Sequence, residues 1–173
     1  MKQLERISVA VGKRLGLSPE DLKNLAFGAV VHDIGKLRVP DAVLLKPGKL
    51  GQRERSVMRT HPVAGESILL QSDIPQAVRQ IVRWHHERWD GGGYPDGLAG
   101  DAIPLTVQIV TVADVFDALV SHRPYKEAWS FEQALAEIER NRGTQFSPAA
   151  TDAFMEVIPD LWLSKQVRSD KAA

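Results

Sequence analysis

The 173-residue chain has five histidines, and four of them stand beside an acid, beside one another or ahead of a proline: His32-Asp33, His61-Pro62 and His85-His86. The fifth, His122, precedes Arg123-Pro124 and reads as a solvated loop residue. Neutral imidazole and carboxylate are ligands that suit iron, manganese, nickel or zinc, and two such ions need about six protein ligands plus a bridging group. His32, Asp33, His61, His85, His86 and Asp114 make up such a set. Adjacent residues of a helix point about a hundred degrees apart, so they chelate one ion poorly but can serve two. Both pairs therefore read as bridges across two metals. These ligands come from four segments, and residue types alone do not show that the segments converge.

Other chemistry is weaker. Gly91-Gly92-Gly93 could be taken for a phosphate cradle, but no strand precedes it and no helix follows at once. Asp117 shares a helix face with Asp114 and can either orient a ligand histidine or bond the backbone. Glu87, Arg88 and Asp90 read as a surface charge run, with Asp90 also able to brace the glycine loop. The four tryptophans read as packing residues, with Trp89 the one placed to line the site.

Five stretches then carry a resemblance. His32-Asp33-Ile34-Gly35-Lys36, His61-Pro62, His85-His86-Glu87-Arg88-Trp89-Asp90-Gly91-Gly92-Gly93-Tyr94-Pro95, Ala113-Asp114-Val115-Phe116-Asp117-Ala118-Leu119 and Arg123-Pro124-Tyr125-Lys126 come in a distinctive order and spacing. They resemble the HD-GYP domain of the HD superfamily of metal-dependent phosphohydrolases, from the first helix to about Phe154. The resemblance implies an all-α, single-domain helical bundle of the HD type with a long Gly-rich GYP loop. It also implies a centre of two divalent transition-metal ions, iron or manganese, with a third in some members. The implied activity is hydrolysis of bacterial cyclic di-GMP to pGpG, with GMP as an open further product.

Carried over by position, the metal ligands would be His32, Asp33, His61, His85, His86 and Asp114, with Asp33 bridging. Asp33 and Lys36 would form the catalytic pair, Lys36 holding the scissile phosphate, while Tyr94, Arg123 and Lys126 would contact the substrate. The loop Gly93 to Pro95 would also offer a surface to diguanylate cyclase (GGDEF) domains. One position departs from the pattern. The family has a further ligand histidine in its first helix, which by spacing falls just before Met1, and residues 1–31 contain no histidine. Either the sequence starts one step late or the site is incomplete with water in the gap. A shift of register would bring Gln3 near that position, although an amide is a weak ligand.

Two divalent ions set against two carboxylates leave an excess of about two positive charges, matched to a substrate with two phosphodiester anions. Coordination also lowers the pKa of bound water from 15.7 to about 7, which supplies hydroxide at cellular pH. Two readings stay open: a phosphodiesterase, or a module that binds cyclic di-GMP or a partner signalling domain without turnover.

The positioning elements follow from the apolar pattern. Leu4, Ile7, Val11 and Leu15 form one helical stripe ended by Gly16, and Ser18-Pro19-Glu20-Asp21 opens a second helix running towards His32. Residues 39–51 read as loop because of Pro40, Pro47, Gly48 and Gly51. Helices are expected over 52–60, from His61-Pro62 to Leu70, and from Ile74-Pro75 into Trp84. Leu105 to Val120 begins β-branched, yet its unbroken length favours a buried helix. Ser130 with Gln133 forms a capping box, and Ser147-Pro148 starts a helix to Val157, with a short helix or tail after Pro159. The HD-GYP domain is thus expected over 1–158 and a tail over 159–173.

Composition closes off other classes. Lys plus Arg and Asp plus Glu both total 22, so no global field draws the chain to DNA or to an anionic membrane. With no cysteine, disulfide scaffolds, thiolate metal sites and cysteine nucleophiles are excluded. No apolar run approaches the ~20 residues of a membrane span, so a soluble cytoplasmic domain, cut from a longer protein with an upstream regulatory domain, is expected.

Overall fold

The computed structural model describes residues 3–122 and 127–170, with side chains described up to residue 164. Among these residues every regular element is helical: α1 (Gln3–Arg14), α2 (Pro19–Val31), α3 (Asp41–Leu44), α4 (Gln52–Met58), α5 (His61–Leu69), α6 (Gln76–Trp84), α7 (Leu105–Val120), α8 (Phe131–Arg140) and α9 (Pro148–Asp170). Short 3₁₀ turns occupy Ile34–Arg38 and Gly100–Ala102.

The ends form as the sequence dictates. Ser18 Oγ accepts the Asp21 N–H at 3.1 Å with Pro19 in the first turn of α2. At α8, Ser130 Oγ accepts the Gln133 N–H at 3.2 Å, and Gln133 Oε1 accepts the Ser130 N–H at 3.0 Å. These bonds satisfy backbone donors that a helix leaves unpaired at its start.

α7 is the axis of the bundle. Val107, Ile109, Val110, Val112, Ala113 and Phe116 have no exposed surface, and α7 packs against α1, α2, α6, α8 and α9. Burying each large side chain contributes roughly 1.5 to 3 kcal/mol, which outweighs the few tenths that β-branched residues lose in a helix. The β-branched start of this segment therefore forms helix, and Ala113-Asp114 is held rigidly at its middle.

Two elements differ from expectation. The Pro/Gly-rich stretch 39–51 contains one helical turn, α3, where Pro40 sets the entry and Asp41 occupies the favoured first turn. α9 does not stop at Val157 but runs unbroken through Pro159 to Asp170. An interior proline costs about 3 kcal/mol or more. Here packing offsets it: Ile158 is buried, and Trp162, one turn on from it, stacks on Phe131 at 5.2 Å and meets Phe116 edge-on at 5.8 Å.

Candidate metal centre

The site forms where four segments end or bend. His32 follows the last turn of α2 and Asp33 opens the 3₁₀ turn; His61 begins α5; His85 and His86 follow α6; Asp114 sits in α7. The structure brings together all six side chains that the sequence singles out as ligands.

The backbone decides how three imidazoles point. Nδ1 of His32 lies 2.9 Å from the Ala29 carbonyl, Nδ1 of His61 2.8 Å from the Met58 carbonyl, and Nδ1 of His85 2.9 Å from the Val82 carbonyl. A carbonyl only accepts, so each Nδ1 carries a proton, and in the neutral ring Nε2 is the lone pair turned to the centre. His61 Nε2 and His85 Nε2 then face each other at 3.2 Å with no proton between them in their neutral forms. Both side chains are about 1% exposed. Two bare lone pairs this close and this buried repel unless a cation lies near both. One donor atom each from His61, His85 and His86 fit within 4.8 Å of one another, so this cluster can hold a metal ion.

Asp33 is the hub of the remaining contacts. Its Oδ1 lies 3.3 Å from His61 Nε2 and 3.9 Å from His85 Nε2, and its Oδ2 lies 3.3 Å from His32 Nε2 and 2.6 Å from Lys36 Nζ. His32 Nε2 is also 3.6 Å from Asp114 Oδ1. One carboxylate thus faces imidazoles from three segments, which is the placement a bridging ligand needs.

Charge follows the same geometry. Burial alone would push the Asp33 carboxyl up, but the His32 and His61 imidazoles and the Lys36 ammonium beside it hold it well below the usual carboxylate range. Burial lowers His85 well below 6.5, with His86 and His32 adding to it, and burial with His61 beside it lowers His86 to about 3. Both are therefore neutral bases at cellular pH. Burial opposes charge on His32 too, but Asp33, Asp114 and the Ala29 carbonyl raise it above 6.5.

A cavity of about 400 Å³ opens over this centre, with Asp33, His86 and Asp114 on its floor and Lys36 and Tyr94 on its walls. The glycine-rich loop builds one wall, and Glu87 holds the loop in shape. The Glu87 side chain is buried rather than part of a surface charge run. Its Oε1 accepts the N–H of Asp96 at 2.7 Å and of Gly97 at 3.1 Å, and its Oε2 accepts that of Leu98 at 3.1 Å. Arg83 binds Asp96 through two nitrogens, and Trp84 Nε1 donates to Asp96 Oδ2 at 2.6 Å. Asp90 braces the loop as expected, pairing with Arg88 and accepting the Gly92 N–H at 3.0 Å. Gly93 is required by close approach, since a Cβ there would lie 2.4 Å from the Arg88 nitrogen and 2.5 Å from the Glu87 Cα. Tyr94, which precedes a cis proline, stacks on His86 with ring centroids 4.8 Å apart.

Glu87→Gln tests this arrangement. A glutamine offers one acceptor oxygen in place of two and turns an amide donor towards the loop N–H groups, leaving a buried donor unmet at about 1 to 3 kcal/mol. The melting temperature is expected to fall, and amide exchange at residues 96–98 to accelerate relative to α7. Exchange rates unchanged at those amides would show that Glu87 does not hold the loop.

Several expectations need correction. Gln3 does not approach the centre; it lines a small gap between α1 and α9 with Ile7, Ile158 and Trp162. Trp89 does not line the main cavity but a minor one beside Phe146. His122 is exposed, as expected. Arg123 and Lys126 lie outside the described residues. Sequence reasoning missed Glu87 as an anchor and Arg59 as a cavity residue. The only signal for Glu87 was its place directly after His85-His86.

Bundle and histidine cluster together define the class. The family model for the HD domain matches residues 1–150, and the chain belongs to that family. Over 157 residues it is 48% identical to the cyclic di-GMP phosphodiesterase response regulator RpfG of Xanthomonas campestris, a match covering 90% of this chain and 42% of that protein. It is 39% identical over 143 residues to 3′3′-cGAMP-specific phosphodiesterase 2 of Vibrio cholerae, covering 82% of this chain and 27% of that one. The chain thus spans less than half the length of these curated relatives. Among solved structures, an HDGYP protein from Bdellovibrio bacteriovorus superposes with a TM-score of 0.74 at 20% identity, over 91% of this chain and 50% of that one, which establishes the fold. Among the described residues no helix is long and apolar enough to cross a membrane.

Proposed function

We propose that this domain hydrolyses a 3′,5′-phosphodiester bond of cyclic di-GMP to give pGpG, with GMP as an open further product. The observation that carries the reading is the convergence of three imidazole Nε2 atoms on Asp33, each turned inward by an Nδ1 bond to a backbone carbonyl. His32, Asp33, His61, His85, His86 and Asp114 would hold two divalent ions, iron or manganese. When bound, such ions generate hydroxide from water near pH 7 and neutralise phosphate oxygens.

The chain's own groups do the rest. Lys36, already 2.6 Å from Asp33, offers its ammonium to the scissile phosphate at the edge of the cluster. Burial, with Asp33 and Asp114 near, pushes the Tyr94 hydroxyl up to about 12 in spite of Arg59, so it stays protonated and can donate to the substrate. Arg123 and Lys126 would contact the same substrate. The Gly93 to Pro95 loop would present a surface to a GGDEF domain, and an upstream regulatory domain would belong to the longer protein. A cytoplasmic location follows from the substrate. Names of similar proteins support both cyclic di-GMP and 3′3′-cGAMP as substrate classes.

The test is product analysis. Cyclic di-GMP incubated anaerobically with the protein and Fe(II) or Mn(II) is expected to yield pGpG. Tight binding of cyclic di-GMP with neither pGpG nor GMP formed would make this a binding module instead.

A further inference from the structure

Three Lys or Arg side chains line the cavity among the described residues: Lys36, Arg59 and Arg88. Two are already matched to carboxylates. Lys36 Nζ lies 2.6 Å from Asp33 Oδ2, and Arg88 binds both oxygens of Asp90 at 2.6 and 3.0 Å. Arg59 has no carboxylate partner among the described residues. Its guanidinium carbon sits 4.9 Å from the centroid of the Tyr94 ring.

This contact uses the charge and face of the guanidinium and leaves N–H groups for an incoming anion. It also fixes where that charge stands. Tyr94 is itself stacked on His86 at 4.8 Å, so Arg59 lies within two ring spacings of the ligand cluster. The main chain supports the same placement: the Arg59 N–H is bonded to the Arg55 carbonyl at 2.9 Å, at the junction of α4 and α5 two residues before His61. The α4 to α5 junction thus delivers both a cluster imidazole and an unmatched cation to one cavity.

A cyclic dinucleotide carries two phosphodiester anions on opposite sides of one ring. In the proposed reading the histidine and aspartate cluster with Lys36 engages the diester that is cleaved. The second anion needs a cation of its own at the cavity wall, because burying it unpaired is costly. We infer that Arg59 binds the non-scissile phosphodiester of the cyclic dinucleotide, with Tyr94 as the platform that aims it. This inference rests on the proposed function and adds to it the residue that distinguishes a substrate with two phosphates from one with a single phosphate.

Steady-state kinetics on two substrates test it: cyclic di-GMP, and bis(p-nitrophenyl) phosphate, which has one phosphodiester and no second anion. For Arg59→Ala, KM for cyclic di-GMP is expected to rise about tenfold to a hundredfold, the range for losing hydrogen bonds to a charged group, with kcat little changed. Cleavage of the small diester, metal content and melting temperature should match the wild type. Arg59→Lys should fall between, since it keeps the charge and loses the fork. An equal loss on both substrates would mean that Arg59 only shapes the site through Tyr94, and no change on either would mean that it binds nothing; each result overturns the inference while leaving the proposed function intact. A wild type that does not cleave cyclic di-GMP would remove the proposed function and this inference together.

Discussion

Asp33→Ala is expected to empty the proposed metal centre and to abolish the proposed hydrolysis of cyclic di-GMP, with metal measured by elemental analysis and products by chromatography. The physical reason is the number of partners converging on one carboxylate. Asp33 approaches Nε2 of His32, His61 and His85 and the Lys36 ammonium, within 3.9 Å in every case. Without it the centre keeps its imidazoles but loses the anion facing all of them. Two divalent ions would then stand against one carboxylate, Asp114, and the repulsion between them would be poorly offset. Loss of a single electrostatic donor in an active site costs about a hundredfold to a thousandfold in rate, and loss of the shared ligand should exceed that. His122→Ala is the matching control: His122 is exposed and outside the cluster, so metal content and turnover should stay as in the wild type. Retention of both ions by the Asp33→Ala protein would refute the bridging role.

The candidate ligands were legible in the sequence for a reason the structure now makes plain. His32-Asp33 and His85-His86 are adjacent pairs at helix ends, where the chain turns and two successive side chains can reach one centre from different angles. What sequence does not display is the device that aims them. The Nδ1 bonds go to carbonyls three residues earlier, at Ala29, Met58 and Val82, and a carbonyl has no signature in residue type. The same holds for Glu87. Its partners are backbone N–H groups of residues 96–98, so its letters read as surface charge while its oxygens are buried. Arg59 escaped notice because it belongs to no motif and its side chain meets a ring on a distant loop. Helix starts were legible where a side chain makes the cap, as at Ser18 and Ser130. Pro159 misled because the penalty of an interior proline is local and readable, whereas the packing of Ile158 and Trp162 that offsets it comes from elsewhere in the chain.

The second large effect concerns a residue that touches no ligand directly. Gly35, in the 3₁₀ turn after Asp33, is pressed against the first turn of α5: a Cβ built on it would lie 1.8 Å from the His61 carbonyl oxygen and 2.5 Å from the Gly65 nitrogen. Those are backbone atoms, which cannot swing aside as a side-chain end can. Gly35→Ala must therefore push the turn bearing Asp33 and Lys36 away from the helix bearing His61. Overpacking a core commonly costs about 1 to 3 kcal/mol, and a clash with rigid backbone should lie at or above the top of that range. For a domain of this size about 3 kcal/mol corresponds to a drop of roughly 6 to 12 °C in melting temperature. The separation of Asp33 from His61 should also weaken metal binding, so calorimetry with Mn(II) is expected to show lower affinity at temperatures where the variant is still folded. Gly51→Ala separates this effect from the generic cost of replacing glycine. Gly51 has φ of −70°, and a Cβ there meets only the end of the Glu54 side chain at 3.3 Å, so stability should change by less than about 1 kcal/mol with metal affinity intact. If Gly35→Ala melts and binds metal as Gly51→Ala does, the turn and α5 are not in the tight register described, and the joint placement of Asp33 and His61 must be secured by other contacts.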